Sequence, residues 1–179
     1  MHNLKLGAVI ALGLSASVAM ANPMVGGAAM YSTKNIVQNA VNSKDHTTLV
    51  AAVKAGGLVD TLSGKGPFTV FAPTNAAFAK LPAGTVETLV KPENKAMLDK
   101  ILTYHVVPGR ITAQQIAAMA ARHGGTASLK TVEGEPLKFV KAGKGWDVID
   151  SKGNRSRITI ANVMQSNGVI HVVDGVLMP

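Results

Sequence analysis

Val163-Met164-Gln165-Ser166-Asn167-Gly168-Val169-Ile170-His171-Val172-Val173-Asp174-Gly175-Val176-Leu177 is the stretch that decides the fold. Five β-formers, Val169, Ile170, Val172, Val173 and Val176, surround one His and one Asp. Asn167-Gly168 ahead of them is a tight-turn signal, because both residue types tolerate positive φ. The run reads as a turn feeding a buried strand. A second stretch, Phe68-Thr69-Val70-Phe71-Ala72-Pro73-Thr74-Asn75-Ala76-Ala77-Phe78, reads as a strand, a break at Pro73 and a helix capped by Thr74.

At the other end, Lys5 supplies a short basic region and Leu6 to Val18 is uncharged and apolar or small. Ala19-Met20-Ala21 has the small-x-small form of a signal peptidase site, which predicts a signal peptide over residues 1–21, cleaved before Asn22. As a membrane anchor Leu6 to Ala21 is short, since a bilayer takes roughly 20 apolar residues. Residues 22–31 read as a flexible leader, because Pro23, Gly26 and Gly27 oppose regular structure. Residues 32–179 then form one domain, long enough to bury a core without metal or disulfide.

The chain has no Cys, so an exported domain of this kind holds together by packing alone and carries no lipidated Cys. These features place it in the periplasm or outside a bacterial cell. Without Lys5 the net charge falls from +8 to +7. Such an excess favours acidic polysaccharide, an anionic membrane surface or an acidic protein, or simply keeps the surface solvated. Export and an aromatic content of 4% argue against nucleic acid.

Helical signals come first along the chain. Ser32 or Thr33 can cap a helix with Ile36, Val37, Ala40 and Val41 on one stripe. Asp45 can cap a second, carrying Leu49, Val50 and Val53 and stopped by Gly56-Gly57. Thr85 can cap a short helix with Val86 and Leu89. Pro92 suits the first turn of a longer one, with Met97, Leu98, Ile101 and Leu102 on its buried face. That helix runs into Tyr104-His105-Val106-Val107, read as a strand ended by Pro108-Gly109. Thr112 caps a further helix over Ala113–Arg122. Beyond Gly124-Gly125 the period changes to 2, giving short strands over 126–132, 137–140, 146–149 and 157–160. This is a β-meander with Lys and Arg along its edges. Helices first and strands later indicate an α+β fold.

Three segments, in order, resemble the fasciclin (FAS1) domain family. Phe68 to Phe78, with Phe71-Ala72-Pro73-Thr74-Asn75 at its centre, resembles the first signature box. Leu102-Thr103-Tyr104-His105-Val106-Val107-Pro108-Gly109 resembles the central Tyr-His segment, and Asn167 to Asp174 with Leu177 the second box. The likeness runs over residues 33–178 and is to a single-domain secreted bacterial fasciclin protein. It implies a fasciclin-like β-wedge, two small sheets meeting at an angle with N-terminal helices packed around them. Phe71, Pro73, Thr74, Asn75, Phe78, Asn167, Gly168, His171 and Asp174 then form a structural signature. The resemblance also implies a non-catalytic role in adhesion, binding proteins, matrix or glycans. In animal members the Tyr-His segment and an Asp-Ile pair before the second box are implicated in integrin binding. Tyr104 and His105 match the first. The second falls on Asn162-Val163, which lacks the carboxylate for an integrin's metal ion, and the chain has no Arg-Gly-Asp. Integrin is therefore left out as a partner.

Candidate chemistry is sparse. His171 could be a metal ligand or general base. Alternatively it is a half-buried imidazole bonded to a neighbour, with Thr74 or Asn75 the expected partner, because an unpaired buried polar group costs roughly 1–3 kcal/mol. Asp174, three residues on, faces the other way on a regular strand and more readily fixes a turn with Gly175. Tyr104 and His105 should alternate faces, one pointing into the core and the other toward the helices or solvent; both read first as structural, with a binding role open to the more exposed one. Asn75 and Asn167 read as cap and turn residues bracing the junction of the two boxes. No nucleophile elbow, zinc-binding His pair, phosphate loop or Cys nucleophile occurs. His46, His105, His123 and His171 lack ligand spacing, so no metal or cofactor is expected. Two functions follow. One is an adhesion module using Tyr104, His105 and the basic meander edge (Lys130, Lys138, Lys141, Lys144, Lys152, Arg155, Arg157). The other is a periplasmic carrier of a small apolar ligand held between helices and sheet, for which a Met-rich, 47% hydrophobic chain is suited.

Overall fold

The computed structural model describes residues 21–179. The expected signal peptide lies, apart from Ala21, outside the described residues. The segment read as a flexible leader is instead a hairpin of β1 (Met24–Val25) and β2 (Ala28–Ala29). Gly26 and Gly27 take positive φ at its turn, so the residues that oppose regular structure are those that permit the turn. Val25 and Met30 are buried, and Lys44 N donates to Gly26 O at 3.1 Å.

Helices α1 (Ile36–Ala40), α2 (Thr47–Ala55) and α3 (Val59–Ser63) lead to β3 (Phe68–Pro73). Next come α4 (Asn75–Ala79), α5 (Thr85–Leu89), α6 (Lys95–Tyr104), β4 (Val106–Pro108) and α7 (Ala113–Arg122). The meander is β5 (Thr126–Lys130), β6 (Pro136–Ala142), β7 (Gly145–Ile149) and β8 (Arg155–Gln165), and β9 (Gly168–Val173) closes the sheet.

Seven strands form one sheet in the order β4-β3-β9-β8-β7-β6-β5. Strands β3 and β9 run parallel, Phe68 opposite Gly168 through to Pro73 opposite Val173, and the remaining neighbours are antiparallel. The long β8 pairs with β7 over residues 155–157 and with β9 from Ile158 onward, through two register shifts. Bulges of this kind bend a strand, so the two sheets of the wedge are two ends of one sheet sharing β8. Val132 N donates to Val106 O at 2.8 Å and links the far edges, bringing the sheet close to a barrel. Along β3, Val70 and Ala72 face a core shared with α1, α2, α3 and α6, whereas Phe71 faces a second core with Tyr104, Ile116, Phe139 and Leu177.

Local chemistry explains some helix starts and long-range contacts explain others. Thr74 and Thr112 cap α4 and α7 as read, Thr112 in a capping box with Gln115. Helix α1 is capped by Asn35, in a box with Gln38, in place of Ser32 or Thr33. Asp45 sits in a 3₁₀ turn ahead of α2. The α2 donor Thr48 N is met by the Asn75 side chain at 3.0 Å, from 27 residues away. Helix α5 starts after Gly84 in the left-handed region, with Thr85 inside it. In α1 the buried face carries Ile36 and Asn39, while Val41 is exposed.

The turn that joins β8 to β9 is Ser166-Asn167 and not the expected Asn167-Gly168: Gly168 is already the first residue of β9, and none of the three has positive φ. Gly168 is required for another reason: a Cβ there would overlap the Phe68 carbonyl oxygen across the parallel pair. Asn167 Oδ1 accepts from Ile36 N (3.0 Å), and its Nδ2 donates to Leu62 O (2.7 Å) and Gly64 O (2.8 Å). One buried side chain thus ties the turn to α1 and to the end of α3. Replacing Asn167 with Ala orphans a buried donor and two carbonyls and should lower stability by about 3 kcal/mol. Urea unfolding of wild type and Asn167→Ala, compared at equal m-value, measures the loss.

Candidate functional site

Two signature histidines flank Phe71. His171 lies directly opposite it on β9, the rings 5.5 Å apart and tilted by 23°. On the other side Phe71 N donates to the carbonyl of His105 at 2.9 Å. His171 Nε2 donates to Ile111 O (2.8 Å) and its Nδ1 accepts from Asn162 N (3.1 Å). The expected partners Thr74 and Asn75 do not bond it, because Thr74 caps α4 and Asn75 serves α2. His105 Nδ1 donates to Ile101 O (2.8 Å) and its Nε2 accepts from Leu177 N (2.9 Å). Each ring uses one nitrogen as donor and the other as acceptor, the bonding of a neutral imidazole.

Tyr104 and His105 point to different sides, Tyr104 into the core of Phe71 and Phe139 and His105 toward a cavity beneath α1, α2 and α3. Tyr104 is the last residue of α6 and His105 its C-cap, and both are buried, at 0% and 3% exposure. The Tyr104 hydroxyl donates to Pro136 O (3.1 Å) and accepts from Ser151 N (2.9 Å), so α6 is pinned to the meander. Neither side chain offers a surface to a partner. Asp174 Oδ1 accepts from Arg157 N (2.7 Å), and Asp174 N donates to the Arg157 carbonyl (3.1 Å), extending the β8–β9 ladder. His171 and Asp174 bond to different elements and form no dyad. Among the described residues, no group of three or more His, Cys, Asp or Glu is placed to hold a metal.

Asn162, on the position of the integrin-associated Asp, occupies the left-handed region (φ 58) at a β8 register shift. Its Oδ1 accepts from Ala113 N (2.8 Å) and its Nδ2 donates to Gln114 Oε1 (2.9 Å), so it anchors the start of α7. Val163 beside it is buried. Both residues serve the fold.

Two features remain open to a ligand. The first is a cavity of about 50 Å³ between α1, α2, α3 and the β3–β9 face. Its walls are almost wholly apolar, with Ser43, His46 and His105 the buried polar residues at its edge. His46 Nδ1 bonds Ser43 Oγ at 2.8 Å. The second is the outer face of the meander. Residues alternate in and out along β5 to β8, so Lys130, Lys138, Arg155 and Arg157 project outward, away from Leu137, Phe139 and Val148 in the core. Asp147, opposite Arg157, pairs with it closely and with Arg155 at 4.0 Å. Lys141 lies on the other face, its ammonium 5.3 Å from the Trp146 ring, and Lys144 sits in the β6–β7 turn. Of the expected contact residues, Lys141 therefore stands on the opposite side of the sheet from Arg155 and Arg157.

A family model described as the fasciclin domain matches residues 44–179. The chain belongs to the fasciclin family. This fasciclin domain is 54% identical over 157 residues to Protein sll1483 of Synechocystis sp., covering 87% of the chain and 79% of the relative. It is 36% identical over 171 residues to the immunogenic protein MPB70 of Mycobacterium bovis (92% and 79% covered). It is also 34% identical over 186 residues to the cell surface glycolipoprotein MPB83 of the same species (91% and 77%). Among solved structures it resembles a FAS1 domain pair from the insect cell adhesion molecule fasciclin I, with a TM-score of 0.73 at 17% identity. The match covers 82% of the chain and about half (51%) of that two-domain chain.

Several residues that organise this fasciclin domain are not evident from pattern. The buried Asn39 side chain clamps Tyr31 N and O and donates to Gln165 Oε1, a contact made only once β8 lies beside α1. Asn162 carries no local turn signal. Ser43-x-x-His46 is the one such group with a readable spacing, that of a side-chain pair three residues apart.

Burial holds the imidazoles of His46, His105 and His171 below their ordinary range, His105 down to about 4, although each also bonds a carbonyl that pulls the other way. The unfolded chain takes up these protons near pH 6.5. The folded domain binds fewer protons between that pH and 4. Stability is therefore full above about pH 6.5 and falls as pH drops toward 4, by roughly 3 kcal/mol for His105 alone. Urea midpoints from pH 7 to 4 should decline. In His105→Gln, which keeps a donor and an acceptor but cannot titrate, the decline should be shallower.

Proposed function

We propose that this fasciclin domain is a non-catalytic extracytoplasmic adhesion or interaction module, periplasmic or secreted, that docks acidic partners at the cell envelope on the outer face of β5 to β8. The observation that carries this reading is the uncovered strand face bearing Lys130, Lys138, Arg155 and Arg157 around Asp147. Strands 4.7–4.9 Å apart present such cations as a ladder, a geometry suited to the repeated carboxylates or sulfates of an acidic polysaccharide. A relative named as a cell surface glycolipoprotein is in keeping with it. No helix among the described residues is long and apolar enough to cross a membrane.

Attraction between exposed charges is screened beyond about 8 Å at physiological ionic strength, so retention should depend on salt. The protein should bind a heparin or polygalacturonate column at low salt and elute well below 1 M NaCl. Lys130→Glu, Lys138→Glu and Arg155→Glu together should pass straight through. The single change Lys141→Glu, off this face, should have little effect. Equal retention of the triple variant would remove the reading.

The cavity beneath α1, α2 and α3 supports a second reading, carriage of a small apolar ligand. Protein interiors leave few voids larger than a water, whereas about 50 Å³ here exceeds the roughly 10–15 Å³ that a single water occupies. Native mass spectrometry of protein purified from its own cells should then show a bound apolar molecule released by organic solvent.

A further inference from the structure

On the outer face of the meander one acid stands between two arginines. Asp147 lies directly opposite Arg157 in the β7–β8 pair, one residue pair on the same face from Ile149 opposite Arg155. Its Oδ1 accepts from Arg157 Nε at close range, and its Oδ2 lies 4.0 Å from Arg155 Nε. Arg157 is also fixed at its backbone, where its N donates to Asp174 Oδ1 at 2.7 Å. Its Cδ lies 3.9 Å from where a Gly145 Cβ would stand, so the stem passes over a residue without a side chain.

Exposure separates the three groups. The Asp147 side chain is 14% exposed, against 59% for Arg155 and 48% for Arg157. The carboxylate is covered and both arginine side chains stay open to solvent. Each arginine turns its Nε to Asp147, and among the described residues no Nη atom of either has a hydrogen-bond partner. Exposed ion pairs contribute little to stability. What Asp147 achieves is to order two planar forks of donors beside each other, with one positive charge left over.

An anion that completes this group carries one charge and accepts from two forks at once. A carboxylate has two oxygens in one plane and is matched by a single guanidinium. A phosphate monoester carries about 1.5 to 2 negative charges at neutral pH and overshoots. A sulfate ester carries one charge spread over three oxygens that point in different directions. It is weakly hydrated, as the guanidinium is.

We infer that Arg155, Asp147 and Arg157 form a clip for a sulfate ester of an acidic polysaccharide, the two arginines donating through Nη to its oxygens and Asp147 acting as the positioning residue. The inference rests on the reading of this face as the docking surface and adds to it the group that the face selects. Lys138, two strands away in the same cross-strand row as Arg155, supplies attraction without fork geometry.

Titration of the full chain with dextran sulfate and with polygalacturonate, matched in charge per sugar and at one low ionic strength, tests this. Dextran sulfate should bind about tenfold more tightly, the scale of one additional charge-assisted hydrogen bond. Arg157→Lys keeps the charge and loses the fork, so it should remove most of that advantage and leave polygalacturonate little changed. Asp147→Ala makes the face more positive, and unspecific attraction alone would tighten both polymers. The clip requires the opposite for dextran sulfate, about fivefold weaker binding, because an arginine must then be ordered on binding. If Asp147→Ala does not fold, Arg157→Lys on its exposed side chain carries the test. Equal affinity of wild type for the two polymers, or an advantage for dextran sulfate that survives Arg157→Lys and grows in Asp147→Ala, would overturn the clip and leave the docking reading standing. No binding of either polymer would overturn both.

Discussion

The parallel contact between β3 and β9 is the constraint on which the rest of the domain leans. Six residue pairs run from Phe68–Gly168 to Pro73–Val173, and both strands are buried on both faces. A strand covered on two sides must be apolar throughout, and it supplies two cores at once. Val70, Ala72, Ile170 and Val172 face the helices, while Phe71 and Val173 face the interior of the nearly closed sheet. The polar groups at the margins belong to the same constraint. Asn167, Gly168, His105, His171 and Asp174 all satisfy or admit backbone that this pairing brings together.

That arrangement accounts for the chemical silence of the signature histidines. An imidazole with one nitrogen donating to a carbonyl and the other accepting an N–H has no lone pair left for a metal or a proton transfer. Burial then makes the charged form costly, which keeps both rings in the state their bonds require. Reactive potential is absent from the seam that looks most like an active site in the sequence.

Much of the architecture was legible because its signals are local. The change of period after Gly125, the caps Thr74 and Thr112 and the apolar run before Asp174 each depend on neighbours within a few residues. What was not legible depends on distant parts of the chain. Asn75 reads as a cap, but the helix it caps is α2, 27 residues away, and Asn167 reads as a turn residue but bonds Ile36 and Leu62. The hairpin at residues 24–29 was hidden because its Gly-rich turn reads as looseness until buried Val25 and Met30 are seen to hold it. Tyr104-His105-Val106-Val107 misled for a different reason. A short apolar run has no period of its own, and here the helix continues through Tyr104 before β4 begins. Among the candidate contact residues, pattern supplied the cations, but only the strand register separated Arg155 and Arg157 from Lys141.

The register Phe71 to His171 also joins positions a hundred residues apart. Neither core can close until the β9 segment has been synthesised, so a growing chain that lacks residues 168–173 has an unfilled slot between β3 and β8. Contacts of such long separation form slowly, because the loop they close must lose its freedom first. The two cores therefore consolidate together and late, when the closing strand enters the slot between β3 and β8.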